Sequence, residues 1–116
     1  MSRTILGANG EEVAAAFLAS RGWSVVARNY RVREGEIDLI ARRDDVLAFV
    51  EVKTRRSRKF GTPAEAVTYR KQTRIRTLPR RYLQDSGAHA RILRFDVIEV
   101  EMARDVVRVN HIEAAF

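Results

Sequence analysis

Val46-Leu47-Ala48-Phe49-Val50 is an unbroken apolar run, and it ends on Glu51-Val52-Lys53. A strand that is apolar on both sides of its pleat must be covered on both faces, so Val46 to Thr54 is expected in the middle of a sheet with structure packed above and below. Side chains alternate along a strand. Glu51 and Lys53 therefore share one face, while Val50 and Val52 point to the other. An acid and a lysine at the end of such a strand are costly to bury unless they are paired or bound to a metal.

The remaining elements arrange themselves around this strand. Val13, Ala14, Phe17 and Leu18 recur at helical spacing. Asn9 with Glu12 three residues later forms a capping box, and Gly22 stops the helix. Trp23 to Tyr30 and Glu36 to Ala41 read as strands. The polar turn Arg42 to Asp45 then makes an antiparallel hairpin with the apolar strand. Ser57 to Gly61 is a basic loop. Thr62 as N-cap, Pro63 at the first helical position and Glu65 closing a capping box announce a second helix. Its apolar side is Ala66, Val67, Ile75, Leu78, Tyr82 and Leu83, and Pro79 inside it predicts a kink or an interruption. Ser86-Gly87 ends it, and strands follow at Ile92 to Val100 and Val106 to Ile112. The order α-β-β-β-α-β-β predicts an α/β fold with a mixed central sheet flanked by helices, in a single domain spanning residues 1–116. Trp23 and Phe49 are expected in its core.

Composition narrows the chemistry. There is no cysteine, which excludes disulfides and thiolate metal sites, and His89 and His111 are the only histidines. Any metal would sit on carboxylates, which favours Mg²⁺ or Mn²⁺. No apolar run approaches the ~20 residues of a membrane span, and residues 1–10 do not resemble a signal peptide. A soluble, cytoplasmic protein without a membrane partner is the expectation. Net charge is +7, unevenly spread: Lys53 to Arg81 holds eleven Lys or Arg against Glu65 alone, so the rest of the chain is net negative. A positive field concentrated in this way attracts polyanions, nucleic acid above all. A solvated basic helix face is the plainer reading of the same charges.

Asp38 lies on the strand that pairs with the apolar one. If the hairpin register permits, Asp38, Glu51 and Lys53 converge. Two carboxylates can hold one or two divalent ions that polarise a phosphodiester, and the lysine can orient water and offset transition-state charge. A cross-strand ion pair is the structural alternative, and spacing alone leaves the two even. Glu36 shares a face with Asp38, and a surface role is expected for it. Tyr30 is expected to pack. Arg55, Arg56, Arg58 and Lys59 follow directly after the strand, where they would contact phosphates without reading sequence. Lys71 and Arg74 on the next helix are counted with them, although solvation of the helix surface accounts for Lys71 and Gln72 as well.

Asp38 followed by Glu51-Val52-Lys53 resembles the PD-(D/E)xK pattern of the restriction-endonuclease-like fold, with Ile37 where the proline usually stands. The resemblance extends over Gly10-Glu11, Gly22-Trp23, Arg28-Asn29-Tyr30-Arg31, Gly35-Glu36-Ile37-Asp38-Leu39-Ile40, Phe49 to Arg55, Phe60-Gly61, Glu65-Ala66-Val67, Tyr82-Leu83, Arg94-Phe95-Asp96-Val97 and His111-Ile112. Together these look like the bacterial YraN family, with Pro79 a departure from its pattern. That family is similar in fold to archaeal Holliday-junction resolvases. The resemblance implies a Mg²⁺- or Mn²⁺-dependent DNA endonuclease selective for branched structures, acting as a homodimer. Asp38 and Glu51 would be metal ligands, Lys53 the catalytic lysine, and Glu11 an additional metal ligand on the first helix. An acid favoured by the helix dipole explains Glu11 equally well. The rival expectations are a nucleic-acid-binding protein that keeps the fold without catalysis, and a nuclease acting on RNA.

Overall fold

The computed structural model describes residues 9–55, 69–103 and 105–115, with side chains in the 69–86 helix described from residue 75 onward. Its elements are α1 (Gly10–Ser20), β1 (Ser24–Val32), β2 (Gly35–Arg43), β3 (Val46–Arg55), α2 (Tyr69–Ser86), β4 (Ile92–Ala103) and β5 (Val106–Ile112). The expected order of elements is observed. The Thr62-Pro63-Glu65 helix start and the Ser57 to Gly61 loop lie outside the described residues.

The five strands form one sheet in the order β1-β2-β3-β4-β5, with β3 at its centre. β1, β2 and β3 pair antiparallel, β3 and β4 pair parallel through the α2 crossover, and β5 returns antiparallel to β4. Leu47 to Glu51 are all buried, as a strand covered on both faces requires. On one face α1 lays Ala14, Ala15 and Leu18 against Leu39, Ala48, Val50, Ile98 and Val100. On the other, Leu78 and Tyr82 of α2 cover Ile37, Ile40, Leu47 and Phe49.

Local chemistry sets the ends of α1. The Asn9 side chain accepts from the Glu12 N–H at 2.8 Å while Glu12 reaches back to the Asn9 N–H. At the other end Gly22, with φ +88°, lets Trp23 N–H reach Leu18 C=O and Gly22 N–H reach Ala19 C=O. That pair of bonds is a Schellman motif, and the left-handed residue it needs is glycine here. α1 begins hard against β3. A Cβ on Gly10 would overlap Thr54 Oγ1 and lie 2.9 Å from Thr54 Cβ. Gly10→Ala should therefore destabilise the protein by about 1–3 kcal/mol through overpacking, although alanine is the better helix former. Urea unfolding would measure this, and Thr54→Ala in the same chain should recover part of the loss.

α2 corrects one expectation. It runs unbroken from Tyr69 to Ser86 with Pro79 inside it, so of the kink or interruption expected at Pro79 the interruption does not occur. Pro79 cannot donate to the Ile75 carbonyl, but Ile75, Leu78, Pro79 and Tyr82 are all buried. Burial of that side offsets the missing bond. Tyr30 packs edge-on against Tyr82 and donates its hydroxyl to Asp85 at 2.9 Å. Burial and the adjacent Asp85 carboxylate push the Tyr30 hydroxyl up to about 12.

Candidate functional site

The strand carrying Asp38 departs from regular alternation. Leu39 pairs with Val50 and Ile40 with Phe49, and the described β2–β3 pairing stops there. Ile37 and Ile40, three residues apart, both pack toward α2, where strict alternation would send them to opposite faces. The irregularity centres on Asp38, and Asn29, with φ +51°, lies across from it between the pairs Arg28–Leu39 and Tyr30–Ile37. Asparagine tolerates that left-handed conformation better than most residues. The result is that Asp38 Oδ2 accepts a hydrogen bond from Val52 N–H at 2.8 Å. A side chain thus meets a backbone donor just beyond the last described pair of the ladder, immediately beside Glu51.

Glu51 itself is 7% exposed. Its Oε2 lies 3.1 Å from Lys53 Nζ, whose side chain is 21% exposed. The pairing is between two residues of one strand face rather than across strands. β4 adds a residue that sequence reading missed. Glu99 is paired in register with Lys53, so their side chains share a face. It is 4% exposed and accepts from Asn110 Nδ2 of β5 at 3.1 Å. Nothing in the local pattern separates Glu99 from an ordinary outward-facing acid. Its place beside Lys53 follows only from the β3–β4 register.

Among the other anticipated residues, Glu11 stands in the first turn of α1, where the helix dipole favours an acid. Among the described residues no three carboxylates or histidines are grouped to hold a metal ion, so Glu11, Asp38 and Glu51 are not brought together as a triad. Glu36 is engaged at the surface with Arg31 at 3.0 Å. Arg55 ends β3, half-buried and in register with Glu101. Arg56, Arg58 and Lys59, and the side chains of Lys71 and Arg74, lie outside the described residues.

The opposite face holds a second polar cluster. Asp96 is fully buried and accepts four hydrogen bonds. Arg94 supplies two, Nε to Oδ1 and Nη2 to Oδ2, each at 2.9 Å. Ala114 N–H reaches Oδ1 at 3.0 Å, and His111 Nε2 lies 2.7 Å from Oδ2. Burial pushes the Asp96 carboxyl upward, but the His111, Arg94 and Ala114 hydrogen bonds and the Arg94 charge outweigh it and hold it below its ordinary range. Trp23 packs edge-on to His111, with the Arg94 guanidinium 5.3 Å from its ring centroid. Sequence reading gave His111 no partner. The structure gives it Asp96, in a cluster that ties the C-terminal turn to the sheet.

Fold and site together define a small α/β protein with a mixed five-stranded sheet that carries Asp38 on β2 beside Glu51 and Lys53 on the central β3. The chain belongs to the uncharacterised protein family UPF0102, the YraN family, whose model matches residues 10–100. It is 49% identical to a UPF0102 protein of Rhodococcus jostii (strain RHA1), over 96% of this chain and 95% of that one. It is 51% identical to one from Symbiobacterium thermophilum, over 100% of this chain and 98% of the relative. A Nocardia farcinica member is 52% identical, over 96% of this chain and 88% of the relative. Among the described residues no helix is long and apolar enough to cross a membrane.

Proposed function

We propose that this protein is a Mg²⁺- or Mn²⁺-dependent endonuclease that hydrolyses phosphodiester bonds in DNA, with selectivity for branched structures over sequence. The observation that carries this reading is the Asp38 carboxylate bonded to Val52 N–H beside the nearly buried Glu51–Lys53 pair. The arrangement of a three-stranded antiparallel unit joined through a helix to a parallel neighbour supports a restriction-endonuclease-like fold. The dense positive charge from Lys53 to Arg81 supports a polyanionic substrate.

The donor chemistry suits the metal. Asp38 and Glu51 offer only carboxylate oxygens, and Mg²⁺ binds through one or two protein carboxylates, taking its other ligands from water and phosphate. A three-acid cluster is not required. When bound, the cation would polarise the phosphate and acidify water. The chain's own residues do the rest. Asp38 is held in place by the β3 backbone. Lys53, its charge balanced by Glu51, presents an ammonium where negative charge develops on the phosphate. Arg55 and the basic residues after it would hold the backbone of the substrate. Two symmetric cuts in a four-way junction would call for a homodimer.

The test is cleavage of four-way junction, flap, single-stranded and linear duplex DNA, and of RNA equivalents, with Mg²⁺, Mn²⁺ or EDTA, by wild type and Glu51→Ala. The expected outcome is metal-dependent cutting of a branched substrate that disappears in the variant. If folded protein cuts none of these with either metal, the catalytic reading fails, and a nucleic-acid-binding protein with the same fold takes its place.

A further inference from the structure

The sheet face that carries Glu51 and Lys53 has a second feature further back along β4. Between α2 and the start of β4 lies an open groove of about 630 Å³, within the size range of small-ligand sites. Leu83, Leu93 and Phe95 are among its apolar lining, and Arg76, Arg80 and His89 among its polar lining. None of its described lining residues is acidic. Leu93 is 42% exposed, and the Arg76 guanidinium stands 6.0 Å from the Phe95 ring centroid, so apolar surface and positive charge lie side by side. Leu83 and the half-buried Phe95 pack in part against the core, Phe95 with its ring centroid 5.9 Å from that of Phe49, but core packing does not account for the exposed Leu93, Arg76 and Arg80. The side of α2 buried against the sheet is the Leu78 and Tyr82 side, whereas Arg76 and Arg80 are exposed.

We infer that this groove binds an unpaired, single-stranded stretch of nucleic acid, with bases against Leu93 and Phe95 and phosphates toward Arg76 and Arg80. An aromatic or apolar platform beside cations is the recurring means of holding single strands, because every base offers a flat apolar face and every residue a phosphate. A duplex hides its bases in the stack and would leave the apolar lining of the groove unused. Phe95 and Glu99 lie on the same face of β4 four residues apart, about 13 Å along the strand. The groove therefore leads toward the Glu51–Lys53 group, and its part in substrate choice rests on the nuclease reading. A branched substrate would place its unpaired segment here and its scissile phosphate at the site.

The test is fluorescence anisotropy with a short labelled thymidine oligonucleotide and a blunt duplex of equal length, in EDTA across a salt series, using the full chain. Wild type should prefer the single strand. The double variant Arg76→Ala/Arg80→Ala should lose about tenfold in affinity, and its log–log salt slope should flatten by about 1.4, the value for two single-strand phosphate contacts. Leu93→Ser should weaken binding several-fold with the slope unchanged. All three positions have exposed side chains, and melting curves would verify that each variant is folded. The inference is overturned if the variants bind like wild type, if the duplex binds as well and loses as much, or if poly-glutamate competes as strongly as the oligonucleotide. The metal-dependent reading expects no cleavage in EDTA. Failure here therefore leaves the nuclease reading to its own assay, and binding without cleavage in that assay would keep the groove and remove the nuclease.

Discussion

Lys53→Met should reduce the rate of metal-dependent cleavage by about 10²- to 10³-fold, the usual cost of losing one preorganised charge-stabilising donor, while making the protein more responsive to metal. The second effect follows from electrostatics. Lys53 is the cation 3.1 Å from a Glu51 carboxylate that is almost entirely buried. Methionine keeps most of the length and apolar body of lysine but removes the charge. Glu51 is then left without that compensation, and the variant should be less stable than wild type in EDTA. A divalent cation on Asp38 and Glu51 would restore the balance, so Mg²⁺ or Mn²⁺ should raise the melting temperature of Lys53→Met by more than that of wild type. Cleavage and melting thus report on different properties of one residue. Equal, negligible metal shifts in both proteins, together with unchanged nucleic-acid binding, would reduce Glu51–Lys53 to a structural ion pair.

What could be read from the sequence divides according to how local its causes are. The Asn9–Glu12 capping box, Gly22 as helix stop and the doubly covered β3 are each determined by a few neighbouring residues, and each is observed. The neighbourhood of Glu51 and Lys53 followed from alternation along one strand. The approach of Asp38 did not, because it depends on the broken alternation between Ile37 and Ile40, opposite Asn29 with its positive φ, and none of this is visible in the residues alone. Glu99 comes beside Lys53 through a parallel pairing across the whole α2 crossover, and Asn110 reaches Glu99 from the antiparallel β5. The interruption named as one outcome at Pro79 is absent because the local cost was legible, whereas the burial that offsets it was tertiary. The Asp96 cluster was invisible for the same reason. Arg94 and Asp96 are an ordinary strand pair until β5 and the C-terminal turn return to them.

That cluster sets the second large expectation: Asp96→Ala should lower stability by about 3–5 kcal/mol, the range for removing one partner of a buried ion pair, and the melting temperature by roughly 10–25 °C. Two hydrogen bonds from Arg94, one from the Ala114 N–H and the contact with His111 all end on Asp96. Its loss leaves a largely buried guanidinium without its main acceptor and loosens the C-terminal turn, which among the described residues then keeps the Ala115 N–H bond to Phe95 C=O and the 3.6 Å Glu113–Arg94 ion pair. The same residue imposes a pH dependence with a definite sign. The carboxyl is held below its ordinary value of 3.8 in the folded chain. Its contribution to stability is therefore complete well above pH 3.8 and is lost as pH falls through the unfolded value and on through the lower folded one. Other acids also titrate in this range, so the useful quantity is the difference between wild type and Asp96→Asn in urea unfolding. Asparagine keeps the shape and one acceptor but has no charge to lose. The gap should be wide near neutral pH and should narrow steadily below about pH 4. A gap that stays constant down to pH 3 would mean that Asp96 gains nothing from its charge, and that Arg94 and His111 are held by packing on Trp23.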